Sequence, residues 1–141
     1  MIRSILLPVD LEHETSWRKA LPLARRMADA FDAELHLLAV VADVRHSYVA
    51  PFFPEDYDER LTAEVTRRLE AFAREHVGEA GVGLHVGHGR VYDEVIAAAE
   101  RLGCDLIVMA SHRPGLADYL IEPSAAHVVS HACCSVLVVR D

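Results

Sequence analysis

Residues 35–42 read LHLLAVVA, a stretch of strand length with no polar residue except His36. A strand with one wet face alternates apolar and polar side chains. A run without alternation therefore needs cover on both faces, which an inner strand of a parallel sheet receives from helices above and below. Residues 4–9 (SILLPV) and 106–110 (LIVMA) have the same character, and 135–140 (SVLVVR) make a last apolar run. So many buried strands restrict the chain to an α/β architecture. Pro8 lacks an N–H and belongs near the end of the first strand, where no ladder bond is lost.

The segments between these runs carry the helical period. Trp17, Ala20, Leu21, Ala24, Met27, Ala28 and Phe31 recur at spacings of three and four, predicting a helix over 16–31 capped by Thr15 or Ser16. Leu61, Val65, Leu69, Phe72 and Ala73 predict a second helix over 59–77, with its arginines and glutamates on a solvated face. Gly78, Gly81 and Gly83 break the chain before a brief strand at 84–86. Val91, Val95, Ile96, Ala99 and Leu102 predict a third helix closed by Gly103, a residue suited to the left-handed turn that ends many helices. Residues 125–131 make a short last helix with Ser124 as its N-cap, after a helical turn at 117–120. Residues 43–58, DVRHSYVAPFFPEDYD, have no period and read as a long irregular loop. Five strands alternating with four helices in 141 residues make one domain, residues 1–141, with right-handed crossovers.

Composition narrows the partners. With 14 Lys and Arg against 22 Asp and Glu, the net charge of −8 does not suit a surface that holds phosphate backbones, so no nucleic acid is expected. No apolar stretch approaches the ~20 residues of a membrane span, and the opening MIRSILLPVD has too short an apolar run for a signal peptide. The expectation is a soluble cytoplasmic protein without a membrane partner. Three cysteines, two of them neighbours, make no disulfide framework, in keeping with a reducing compartment.

In parallel sheets ligands bind beyond the carboxyl ends of the strands. Residues 4–9 end there in Asp10, and residues 106–110 in Ser111-His112-Arg113-Pro114-Gly115. Hydroxyls, backbone N–H groups and a guanidinium can hold a phosphate, while composition alone leaves a plain βα connection open. Ser111, His112 and Asp118 could be drawn as a nucleophilic set, but no G-x-S-x-G turn accompanies them. His127 and His131, four apart on one predicted helix with Cys133 and Cys134 just beyond, are ligand types that zinc takes, yet the pair is half a site. A surface histidine pair and packed thiols are the plainer reading. His85 and His88 flank the third strand without metal spacing. No metal site is expected.

LLPVD near the start, HLLAVV in the second strand, GRVYDEVI before the third helix and IVMASHRPG…SAAHVVSHACCSVLVVR at the end resemble the universal stress protein family over essentially the whole chain. The resemblance implies a three-layer, Rossmann-like fold of the adenine nucleotide α-hydrolase-like type, with a five-stranded parallel sheet of order 3-2-1-4-5. It implies an adenine nucleotide, ATP, ADP or AMP and with or without Mg, in the crevice at strands 1 and 4. It also implies homodimers paired through the last strand, and a role as a stress-response or regulatory module with a regulatory protein partner. The alternatives are a nucleotide-free dimeric interaction protein and a weak ATP hydrolase.

By the same resemblance, Pro8, Val9, Asp10, Val40, Met109, Ala110, Ser111, His112, Arg113, Ser124 and Ala125 would make the nucleotide site, with Asp10 at the base or sugar, Val9 and Val40 offering backbone groups to the adenine edge, Met109 on the apolar wall, and Ser111, Arg113 and Ser124 gripping the phosphates. Nucleotide-binding relatives carry glycines at three positions of that phosphate motif, followed by Ser or Thr. Here Ala110, Arg113 and Pro123 stand in their place and only the hydroxyl of Ser124 survives. The Ser-His-Arg-Pro wording looks like a sub-branch in which the first two glycines are already replaced, so Glu122-Pro123 is this chain's own departure. A proline removes an N–H and a glutamate adds negative charge, so a triphosphate should be gripped weakly.

Overall fold

The computed structural model describes residues 1–41, 52, 54–78, 81–111 and 124–140. The elements run β1 (Ser4–Pro8), α1 (Ala20–Phe31), β2 (Glu34–Val41), α2 (Tyr57–His76), β3 (Val82–His88), α3 (Val91–Leu102), β4 (Leu106–Ala110), α4 (Ser124–His131) and β5 (Ser135–Val139). The strands form one sheet in the order β3-β2-β1-β4-β5, and every pairing is parallel. Most of the irregular loop and the turn at 117–120 fall outside the described residues.

Successive residues of one strand point to opposite faces, so a strand covered on both sides needs apolar residues without alternation. Ile5 and Leu7 join Ala20, Leu21, Ala24 and Ala28 of α1 and Leu69, Phe72 and Ala73 of α2 in one core. Leu6, between them, joins Val95, Ala98 and Ala99 of α3, Ile107 and Met109 of β4 and Val128 of α4 in the other. Three layers result, α1 and α2 on one side of the sheet and α3 and α4 on the other. Trp17 closes the first core, packing edge-on against Phe72 with ring centroids 4.9 Å apart.

The first helix starts later than its period suggests. Glu14–Ser16 form a single 3₁₀ turn and α1 begins only at Ala20, with Lys19 at the cap position and no side-chain cap bond. Ser16 is drawn away instead: its hydroxyl accepts the Asp10 N–H at 2.9 Å and lies 2.8 Å from the His13 carbonyl. Trp17 and the residues after it keep the apolar spacing, so periodicity alone could not detect that the hydroxyl serves the loop and not the helix.

The third strand is longer than expected, and two glycines lie inside it. Gly83 pairs with His36 in the parallel register, and a β-carbon there would sit 2.3 Å from His36 Nδ1. The glycine is space for a neighbour's ring and not a break. The ring in that space meets His85 across the strands, with His36 Nδ1 and His85 Nε2 3.0 Å apart. Burial, the His36 ring and the Arg101 charge all push the His85 imidazole below its ordinary pKa, burial most strongly. Gly87 likewise admits Glu94, whose carboxylate would stand 2.9 Å from an added β-carbon. As expected, Gly103 ends α3 in the left-handed region at φ 64°, with its N–H on the carbonyl of Glu100.

Candidate functional site

A cleft of about 520 Å³ opens at the carboxyl ends of β1, β2 and β4. Its floor is the strand ends themselves, Pro8 and Val9, Leu38 to Val40, and Met109 with Ala110. One wall is the β1–α1 loop from Asp10 to Ser16; α2 adds Val65 and Arg68, and α3 adds Val91. The volume lies in the ~300–1,000 Å³ range of small-molecule pockets.

The loop wall is organised by Asp10. Its Oδ1 accepts the Glu12 N–H at 2.9 Å and its Oδ2 meets His13 Nδ1 at 2.8 Å. This side-chain-to-backbone turn, together with Ser16 folded onto Asp10, holds the loop in one shape across the cleft. Both carboxylate oxygens therefore have work in the fold, while the residue as a whole still faces the cavity. The backbone of the floor is equally committed. Val9 N–H donates to the Leu38 carbonyl at 2.8 Å and Ser111 N–H to the Val139 carbonyl at 2.9 Å. What Val9 can offer a ligand is its carbonyl, and what Ser111 can offer is its hydroxyl.

Of the residues singled out from the sequence, Pro8, Val9, Asp10, Val40, Met109, Ala110 and Ser111 line this one cleft. Ser124 and Ala125 do not line it. Ser124 is the first residue of α4, and Ala125 packs against the α3 side of the core. His112, Arg113, Glu122 and Pro123 lie outside the described residues.

The helical period places the arginines of α2 on a solvated face, and Arg68 is exposed as expected while also bordering the cleft. Arg68 belongs to the cleft, where it forms an ion pair with Glu12 that ties α2 to the β1–α1 loop. It sits three residues after Val65 and four before Phe72, on the flank of the apolar stripe, and that spacing is the signal the sequence carries for it.

The histidines and thiols beyond the cleft are arranged for packing. Tyr92, His127 and His131 stack in sequence, with centroids 4.0 Å and 4.3 Å apart. Among the described residues no group of three or more His, Cys, Asp or Glu side chains is placed to hold a metal ion. All three thiols are pushed above their ordinary pKa, Cys104 and Cys134 chiefly by burial and Cys133 by its hydrogen bond to Glu100. A thiol held protonated is a poor nucleophile. Glu100→Gln should therefore speed iodoacetamide labelling of the exposed Cys133 several-fold at pH 8, read by mass spectrometry, while Cys104 stays slow.

The universal stress protein family model matches residues 1–140. The chain belongs to the universal stress protein family. Universal stress protein G of Shigella flexneri is 32% identical over 143 residues, covering 99% of this chain and 100% of that protein. A universal stress protein solved in complex with cAMP superposes with a TM-score of 0.66 at 20% identity, over 99% of this chain and 97% of that one. A family protein from Arabidopsis thaliana solved with AMP bound gives 0.60 at 15% identity, over 98% and 91%. The sheet order and the helices on both faces are those of the adenine nucleotide α-hydrolase-like universal stress fold. Among the described residues no helix is long and apolar enough to cross a membrane.

Proposed function

We propose that this universal stress protein is a regulatory module that binds an adenine nucleotide in the cleft at β1 and β4. The observation that carries the reading is the convergence of Pro8, Val9, Asp10, Val40, Met109, Ala110 and Ser111, drawn from separate stretches of the chain, on a single cavity of ligand size. The cAMP and AMP held by structural relatives support it. The adenosine lies on the apolar floor between Val40 and Met109, with its polar edge toward Asp10 and the Val9 carbonyl. The phosphates point toward Ser111 and the segment that follows it. Asp10 already has both oxygens engaged, so any Mg²⁺ arrives with the phosphates and does not wait on a preformed carboxylate cage. The module works in the cytoplasm as a homodimer paired along β5, an edge strand whose residues after Ser135 are only half-covered in the single chain.

Isothermal titration with ATP, ADP and AMP, with and without Mg²⁺, tests this directly. One nucleotide per chain, with AMP and ADP bound about as well as ATP, is the expected result. Absence of heat for all three, confirmed by equilibrium dialysis, would favour the second reading, a nucleotide-free interaction protein. A specific contact supports that alternative: Arg68 and Glu12, both in the cleft lining, are already paired with each other, so neither charge is held open for a ligand.

A further inference from the structure

Two histidine pairs exist among the described residues, and they differ in what they can hold. His127 and His131 are stacked with their planes 17° apart, and the Nδ1 of His131 is tied to the His127 carbonyl at 2.9 Å. Nearly parallel stacked rings direct their nitrogen lone pairs alongside one another and not to a common point. His36 and His85, 49 residues apart in sequence, are tilted 44° to each other, and their Nδ1 and Nε2 atoms face at 3.0 Å. Two imidazole nitrogens bound to one metal ion at about 2.0–2.1 Å stand roughly 2.9–3.4 Å apart when the angle between them runs from square to tetrahedral. The spacing of the second pair already falls in that window.

We propose that His36 and His85 form a bidentate site for a divalent transition-metal ion that prefers imidazole, Zn²⁺ or Cu²⁺. Binding replaces the proton lying between the facing nitrogens. Each ring turns so that its lone pair meets the ion, and the displaced proton passes through solvent to the outer nitrogen of the same ring, so that both imidazoles bind in the neutral form with no net proton released. Three features of the site suit this. Glu34 stands 3.5 Å from the far nitrogen, Nε2, of His36, within reach to accept that N–H once the ring turns, as carboxylates behind metal-bound imidazoles do. Gly83 supplies the floor: a β-carbon there would meet His36 Nδ1 at 2.3 Å and His85 Nε2 at 3.0 Å, the two nitrogens the ion would join. The His36 side chain is 14% exposed, so the pair is largely shielded from solvent without being sealed in the core. No third side chain of a metal-binding type joins them among the described residues, and water completes the coordination.

Zn²⁺ alone and Cu²⁺ alone, titrated calorimetrically into the full chain, should each occupy one site. His36→Gln or His85→Gln should weaken that site at least tenfold, Glu34→Gln by about tenfold, and His127→Gln should leave it unchanged. Circular dichroism verifies that the variants fold. Independently of any variant, Cu²⁺ bound to the unaltered protein should show nitrogen hyperfine splitting from two equatorial nitrogens in its electron paramagnetic resonance spectrum, and Zn²⁺ should shift the ring resonances of His36 and His85. Binding that survives in His85→Gln, that is lost only in His127→Gln, or that disappears when the thiols are alkylated would overturn the assignment. So would the absence of binding to the wild type.

Discussion

Replacing Leu6 by alanine is expected to lower the unfolding free energy by about 2–5 kcal/mol. Leu6 is fully buried in the middle strand of the sheet, and its side chain is the β1 contribution to the core shared with α3 and α4. The loss combines the apolar area returned to water with the cavity left against Val95 and Ile107. Set against a total stability of roughly 5–15 kcal/mol for a domain of this kind, it is a large fraction of what holds the chain folded. Urea denaturation should show a lower midpoint with an unchanged slope. Val129, on the outer side of α4 and 55% exposed, is the control; its replacement by alanine should change stability by less than about 0.5 kcal/mol. A Leu6→Ala loss no larger than that of the control would mean that α3 does not pack on the sheet as described.

The second large effect concerns Glu122 and Pro123, which by the family resemblance stand where a nucleotide-binding member would carry a neutral residue and a glycine, and it rests on the proposed nucleotide site. Changing the pair to Leu-Gly restores a backbone donor toward the phosphates and removes a negative charge. A hydrogen bond to a charged group contributes roughly 1.5–3 kcal/mol, so ATP affinity should rise about ten- to a hundredfold. Adenosine affinity should hardly move, because the contacts proposed for it lie at Asp10, Val9 and Val40, which line the cleft away from that pair in sequence. Titration calorimetry with both ligands separates the outcomes. Equal gains for ATP and adenosine would place the effect on the folding of α4. Tight ATP binding by the unaltered protein would show that Pro123 does not weaken the phosphate end.

The floor and the walls of the cleft are legible in the sequence to different degrees. The floor can be read because strand ends are marked twice, by the end of an apolar run and by the polar residue that follows, as at Val9-Asp10 and Ala110-Ser111. The walls are legible only in part. The place of Arg68 on the flank of the apolar stripe can be read from its spacing, but its partner cannot, because Glu12 comes to it from the β1–α1 loop. Ser16 looks like a cap, and it is instead the hydroxyl that fastens that loop to Asp10. In each case the deciding partner is close in space and unmarked in the local pattern.

The sequence by itself determined the class of fold, because apolar runs of strand length with amphipathic helices between them leave few ways to bury every apolar face and right-handed crossovers remove many of those. The sheet order was implied by the family resemblance and is the one the structure has. Only the tertiary structure decided what the polar side chains among those faces do. Period and propensity are averages over neighbours in the chain, whereas a hydrogen bond depends on single atoms within about 3 Å. Thus Gly83 reads in the sequence as a break between elements, and in the folded sheet it is the space in which the ring of His36 meets that of His85.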